Sequence, residues 1–102
     1  MSAAHFLYKL IPPRPTFAAD MTADEAAVMA EHAEYWTALV DDGPVVAFGP
    51  VFDPAGVWGA AIVEADDEAA VRAMGTRDPA VTSGMATFDV YAMPSAVARA
   101  GR

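Results

Sequence analysis

Cysteine is absent from the 102 residues. That excludes a disulfide scaffold, a thiol nucleophile and a Cys-ligated zinc or iron–sulfur site. Positive charge is scarce: 6 Lys and Arg stand against 14 Asp and Glu, a formal net charge of −8. Such a surface repels phosphate backbones and anionic lipid, so neither nucleic acid nor a membrane is expected as a partner. No apolar run approaches the roughly 20 residues of a membrane span. The stretch Phe6-Leu7-Tyr8 is interrupted by Lys9 and closed by Pro12-Pro13, far short of the core of an export signal. A soluble, cytoplasmic protein is the expectation. Glycine-rich phosphate loops, a G-x-S-x-G elbow and an H-E-x-x-H pair are also missing, so no cofactor and no metal is expected. What is there is apolar: 55% hydrophobic and 20% charged residues, too little polarity for disorder. The length suits a single α+β domain over residues 1–102, with a core at about 4–94 and a small-residue tail, 95–102, expected to fray.

Local patterns alternate between strand and helix. Residues 4–11 are rich in β-forming types and stop at a proline pair, which predicts a first strand. Pro12 to Asp20 holds three prolines and reads as a loop, longer than most connections in a small domain. Thr22 and Glu25 have the spacing of a capping box. From Ala23 to about Val40, Val28, Met29, His32, Ala33, Trp36, Leu39 and Val40 form one helical stripe, and Gly43 sits where the helix should end. Pro44 to Val51 predicts a second strand, Phe52 to Gly56 a short turn, and Val57 to Ala65 a third strand. Asp66-Asp67 caps a second helix over Glu68 to Met74, with Gly75 ending it. Asp78-Pro79 opens one more helical turn. A fourth strand runs from Thr87 to Met93, stopped by Pro94.

The order β-α-β-β-α-β is the split βαβ, or ferredoxin-like, arrangement. Two helices cover one face of such a four-stranded sheet. Alternation places Phe6, Tyr8 and Leu10 on one face of the first strand and Leu7 and Ile11 on the other; the third strand opposes Ala61 and Val63 to Trp58, Ala60 and Ile62. Both faces are apolar, so the uncovered one calls for a second copy, in a homodimer formed by sheet faces.

Two residues stand out for chemistry. His32 lies on the inner stripe of the first helix, one turn from Val28 and from Trp36. Neutral imidazole is the natural proton carrier near neutral pH; the competing reading is a core histidine bonded to a backbone carbonyl. Asp78 before Pro79 is either a plain helix cap or a fixed carboxylate able to orient an imidazole. With the first and fourth strands adjacent, the start of the fourth strand falls near one end of the first helix, so the two side chains are expected to converge on one cleft. Tyr8 and His5 are candidate lining, His5 being alternatively a solvated edge residue. Trp36 is a further lining candidate or a core aromatic, and Ser83 with Thr82 is pocket lining or turn chemistry. Glu31 and Glu34 are expected in solvent. A metal site from His5, His32 and an acid lacks ligand spacing.

The run Glu31-His32-Ala33-Glu34-Tyr35-Trp36, then Asp42-Gly43, Phe48-Gly49-Pro50 and Asp78-Pro79-Ala80-Val81-Thr82-Ser83-Gly84, resembles the YciI-like (YCII-related) family, from the first strand to Pro94. The resemblance implies a ferredoxin-like domain that dimerises through its sheets, as a dimeric α+β barrel, and a pocket-facing His–Asp pair, here His32 and Asp78. One enzyme-like branch of that family performs cofactor-free dehydrochlorination of an aromatic polyol. The Pro12–Asp20 insertion departs from the shorter members and is expected to reshape the pocket mouth, so the branch's substrate does not carry over. Two functions follow. One is a cofactor-independent lyase or isomerase moving a proton on a small aromatic or carbonyl metabolite. The other is a non-catalytic dimeric module that binds a metabolite or partner. An open pocket with Asp78 in reach of His32 favours the first, and sealed apolar packing the second.

Overall fold

A computed structural model describes residues 4–99. Strand β1 (Ala4–Ile11) leads into a one-turn helix α1 (Phe17–Asp20) and the long helix α2 (Ala23–Asp42). Strands β2 (Val45–Val51) and β3 (Trp58–Ala65) follow, then helices α3 (Glu68–Thr76) and α4 (Pro79–Thr82) and strand β4 (Thr87–Ala92). The result is an α+β fold: an open four-stranded antiparallel sheet in the order β2-β3-β1-β4, with four helices.

Helix α2 starts where the capping box says it should. Thr22 Oγ1 accepts from the Glu25 amide at 3.1 Å, and Glu25 Oε1 accepts from the Thr22 amide at 2.9 Å. Its end is set by Gly43, whose φ of 111° lies in the left-handed region and turns its N–H back to the Leu39 carbonyl. The Ala- and Glu-rich interior between these caps favours helix throughout.

The core lies on one face of the sheet. Phe6, Tyr8, Leu10, Ala61, Val63 and Val90 pack there against Trp36, Val71 and Ala80 from the helices. On the opposite face Leu7 pairs across to Ile62 on one side and Tyr91 on the other, outside that cluster. Tyr91 is 47% exposed. The opposite face is mixed and not apolar as the alternation predicts, because His5, Lys9, Glu64 and Asp89 share it with Leu7, Ile62 and Tyr91.

Three local expectations are corrected. The 12–20 segment is not loop throughout: its last residues form α1, and Phe17 is buried. Gly75 does not end the second helix, which runs on to Thr76. A Cβ at Gly75 would lie 2.6 Å from Phe88 and 2.8 Å from Tyr8, so this glycine serves close packing of helix on sheet, not termination. Strand β4 stops at Ala92, one residue before the expected Met93. Residues 95–99 are in neither helix nor strand; the remainder of the expected tail, 100–102, lies outside the described residues.

Candidate active site

Asp78 is the centre of the site. It is the N-cap of α4, with Pro79 at the first helical position, and its Oδ1 accepts from the Ala80 amide at 2.9 Å. Its side chain is fully buried, the only charged one in the core of the described chain. A buried carboxylate needs donors on every side, and three further residues supply them. Tyr8 reaches it from β1, being on the inward face with Phe6 and Leu10; its hydroxyl donates to Oδ2 at 2.9 Å. Trp36 and His32 reach it from α2, where a spacing of four puts them on one stripe. Trp36 Nε1 donates to Oδ2 at 2.8 Å, and His32 Nδ1 lies 2.9 Å from Oδ1 and 3.0 Å from Oδ2. Aromatic packing holds the cage rigid: the Tyr8 ring lies 4.6 Å from that of Trp36 and 5.2 Å from that of Phe88.

The electrostatics follow from this geometry. Burial pushes the Asp78 carboxyl up, but the hydrogen bonds from His32 and Trp36, the charge of His32 and the Ala80 amide together hold it below its ordinary value. Asp78 is thus ionised and accepts only. Nδ1 of His32 must carry the proton between them, which leaves Nε2 with its lone pair free when the ring is neutral. Burial, reinforced by the charge and hydrogen bond of Asp78, raises Tyr8 far above the ordinary tyrosine value, so its phenol stays neutral.

Nε2 has no protein partner among the described residues, and no buried side-chain nitrogen or oxygen there lacks one, so Nε2 is at the accessible edge of the ring. His32 is among the residues lining a cavity of about 280 Å³. Its walls come from β1, the 12–21 segment, α2, both strands of the β2–β3 hairpin and Met85-Ala86, with Leu10, Phe17, Met29, Phe48 and Trp58 among them. Like His32, Tyr8 and Trp36 line it.

His5 and Ser83 do not. His5 is on the opposite face of the sheet, 3.2 Å from Glu64 across the β1–β3 ladder; alternation from Tyr8 requires this, since an odd step along a strand reverses the side. Ser83 turns its hydroxyl to the Ala80 carbonyl at 3.1 Å, ordinary chemistry at a helix end. Glu31 and Glu34 are exposed, as expected. The donor roles of Tyr8 and Trp36 escape a reading of spacing alone, although a polar tip on an inward aromatic is itself a signal that a buried acceptor is near. Phe17 and Met21 also escape it, being in a stretch that looks like loop. Among the described residues no three of His, Asp and Glu gather as metal ligands, and no helix is long and apolar enough to cross a membrane.

Comparison with curated proteins and with solved structures finds no match. A family model, the YCII-related domain, does match, over residues 7–94. That span runs from β1 through β4 and includes His32, the Gly49-Pro50 strand end and Asp78, so the chain belongs to the YCII-related domain family.

Proposed function

We propose that the protein is a small cofactor-independent enzyme of lyase or isomerase type, with His32 as general base and Asp78 as its positioning partner. The observation that carries this reading is the His32 Nδ1–Asp78 contact at 2.9 Å beside a cavity that His32 lines. Nε2 takes a proton from an acidic C–H or O–H of the substrate. The electron pair left behind expels a leaving group, as in dehydrochlorination, or is reprotonated at another carbon by the same imidazolium. Asp78 keeps its charge, holds the tautomer and stabilises the imidazolium as it forms. One positioned base supplies about 10²–10⁴-fold in rate, which suits an already activated proton.

The β2-β3-β1-β4 order supports a ferredoxin-like reading, and Leu7, Ile62 and Tyr91 on the uncovered face support a homodimer of the α+β barrel kind; a cytoplasmic location is part of the same proposal. Light scattering should give twice the 10.7 kDa chain mass; a monomer at micromolar concentration overturns the dimer.

The catalytic test is proton exchange. Phenylacetone in heavy water should lose its α-protons about 10²–10⁴-fold faster with protein than in buffer, with the gain abolished in His32→Ala and reduced in Asp78→Asn. Equal rates for wild type and His32→Ala overturn the enzyme reading, leaving Asp78 and its donors as a structural knot in a metabolite-binding module.

A further inference from the structure

We propose that the cavity beside His32 selects an uncharged, largely apolar molecule bearing one O–H or N–H donor, and refuses carboxylates and phosphates. The inference builds on the reading of His32 as a base and adds what that base is offered.

The walls carry almost no free polarity. Leu10, Phe17, Met29, Phe48 and Met85 present hydrocarbon and thioether. The polar tips of the ring residues are already engaged: the Tyr8 hydroxyl and Trp36 Nε1 by Asp78, and Trp58 Nε1 by Asp53 at 3.1 Å. A ligand's apolar body meets matching surface, and further polar groups on it would be stripped of water without replacement.

Among the described residues no Lys or Arg lines the cavity. Among those residues two cations stand beside the wall: Arg14, stacked 5.4 Å from the Phe17 ring, has its guanidinium already bound by Asp20 and by both oxygens of Glu25, and Lys9, whose Nζ lies 4.7 Å from the Trp58 ring centroid, is one step along β1 from Tyr8 and so on the opposite face of the sheet. A carboxylate in the cavity would need an imidazolium to receive it, yet the charge of that ring is already matched by Asp78. It would also approach against a net charge of −8.

The remaining polar feature is Nε2. With Nδ1–H held by Asp78 it offers a lone pair, so the complementary group on the ligand is a donor. In size, a dry cavity of about 150 Å³ accommodates benzene; about 280 Å³ therefore takes a substituted ring with room to spare.

The test uses three molecules of nearly one shape and the intrinsic fluorescence of Trp36 and Trp58 in the wall. 4-Ethylphenol is neutral at pH 7 because a phenol titrates near 10. 4-Ethylbenzoate is anionic, and 4-ethylanisole lacks the donor. The phenol should quench saturably. The anisole should bind about three- to tenfold more weakly, the worth of one net hydrogen bond. The benzoate should bind at least about tenfold more weakly. In His32→Ala the phenol and anisole should become equal, while the benzoate stays weakest. A benzoate that binds as tightly as the phenol overturns the proposal, as does an anisole that matches the phenol in wild type, or a phenol that does not bind. All three comparisons stand in wild-type protein, so they hold even if His32→Ala does not fold. None requires turnover. Selectivity without proton exchange defeats the enzyme reading and keeps the ligand class; exchange without selectivity does the reverse.

Discussion

Two histidine–carboxylate pairs stand among the described residues, on opposite faces of one sheet. His5 meets Glu64 at 3.2 Å and His32 meets Asp78 at 2.9 Å, and the two imidazoles are about equally covered, at 17% and 12% exposure. Their carboxylates differ. Glu64 is 36% exposed and, among the described residues, receives no donor but the histidine. Asp78 is fully buried and holds Tyr8, Trp36 and the Ala80 amide besides His32. A short contact is common to both. What separates a fixed orienting group from a surface pairing is the number of immobile donors that hold the acid, and the exclusion of water that makes each one count.

The sharpest way to break the comparison is to remove the acids in turn. Asp78→Ala strands three side-chain donors and should cost about 3–5 kcal/mol in urea unfolding; a loss under about 1 kcal/mol would make the cage energetically ordinary. The acid limb sharpens the same point. The folded Asp78 carboxyl is depressed, so its stabilisation is complete above the unfolded value near 3.9 and is lost as pH falls through the lower folded value. Stability of wild type should therefore fall more steeply than that of Asp78→Asn below about pH 4, read by urea midpoints across that range. Parallel curves would show that the donors do not act on the charge.

Next in size is Gly75→Ala. The new methyl would press on Phe88 and Tyr8 and should cost about 1–3 kcal/mol as overpacking. It should also move Tyr8 off Asp78, seen as a changed tyrosine environment in near-ultraviolet circular dichroism. An unchanged spectrum and melt would mean the rings yield freely. Thr22→Ala removes the cap of the helix that holds His32 and should cost about 1 kcal/mol, measured by thermal melting; no shift would place the start of α2 elsewhere. Smallest is Glu64→Gln, expected within about 0.5 kcal/mol of wild type. A loss above about 2 kcal/mol would erase the distinction between the two pairs.

The pattern of helices, strands and caps is legible in the residues because it depends on local chemistry: Thr22 with Glu25, Gly43 past the stripe, Asp78 before Pro79. The meeting of His32 with Asp78 is legible too, since strand order and one helical stripe suffice to bring them to the same side. Gly75 misleads because a glycine after an amphipathic stretch reads equally as a stop or as a close approach, and only the rings of Phe88 and Tyr8 decide which. The side of His5 follows from counting back from Tyr8. Helix α1 is hidden by the prolines that precede it, and Phe17, buried at its start, gains its helical turn from tertiary burial and not from propensity.

Glu25 belongs to two structures at once. It closes the capping box at Thr22 and holds Arg14, whose Nε and Nη2 also fasten Asp20 at the end of α1; the Arg14 partnership draws the Glu25 carboxyl down to about 2. The cavity wall at Phe17 and the first turn of α2 are therefore one cooperative unit. In hydrogen-exchange terms, the amides of Asp20 and Ala26, which bond to the Thr16 and Thr22 carbonyls, should open together. Opening of the wall at Phe17 should therefore fray the first turn of the long helix with it.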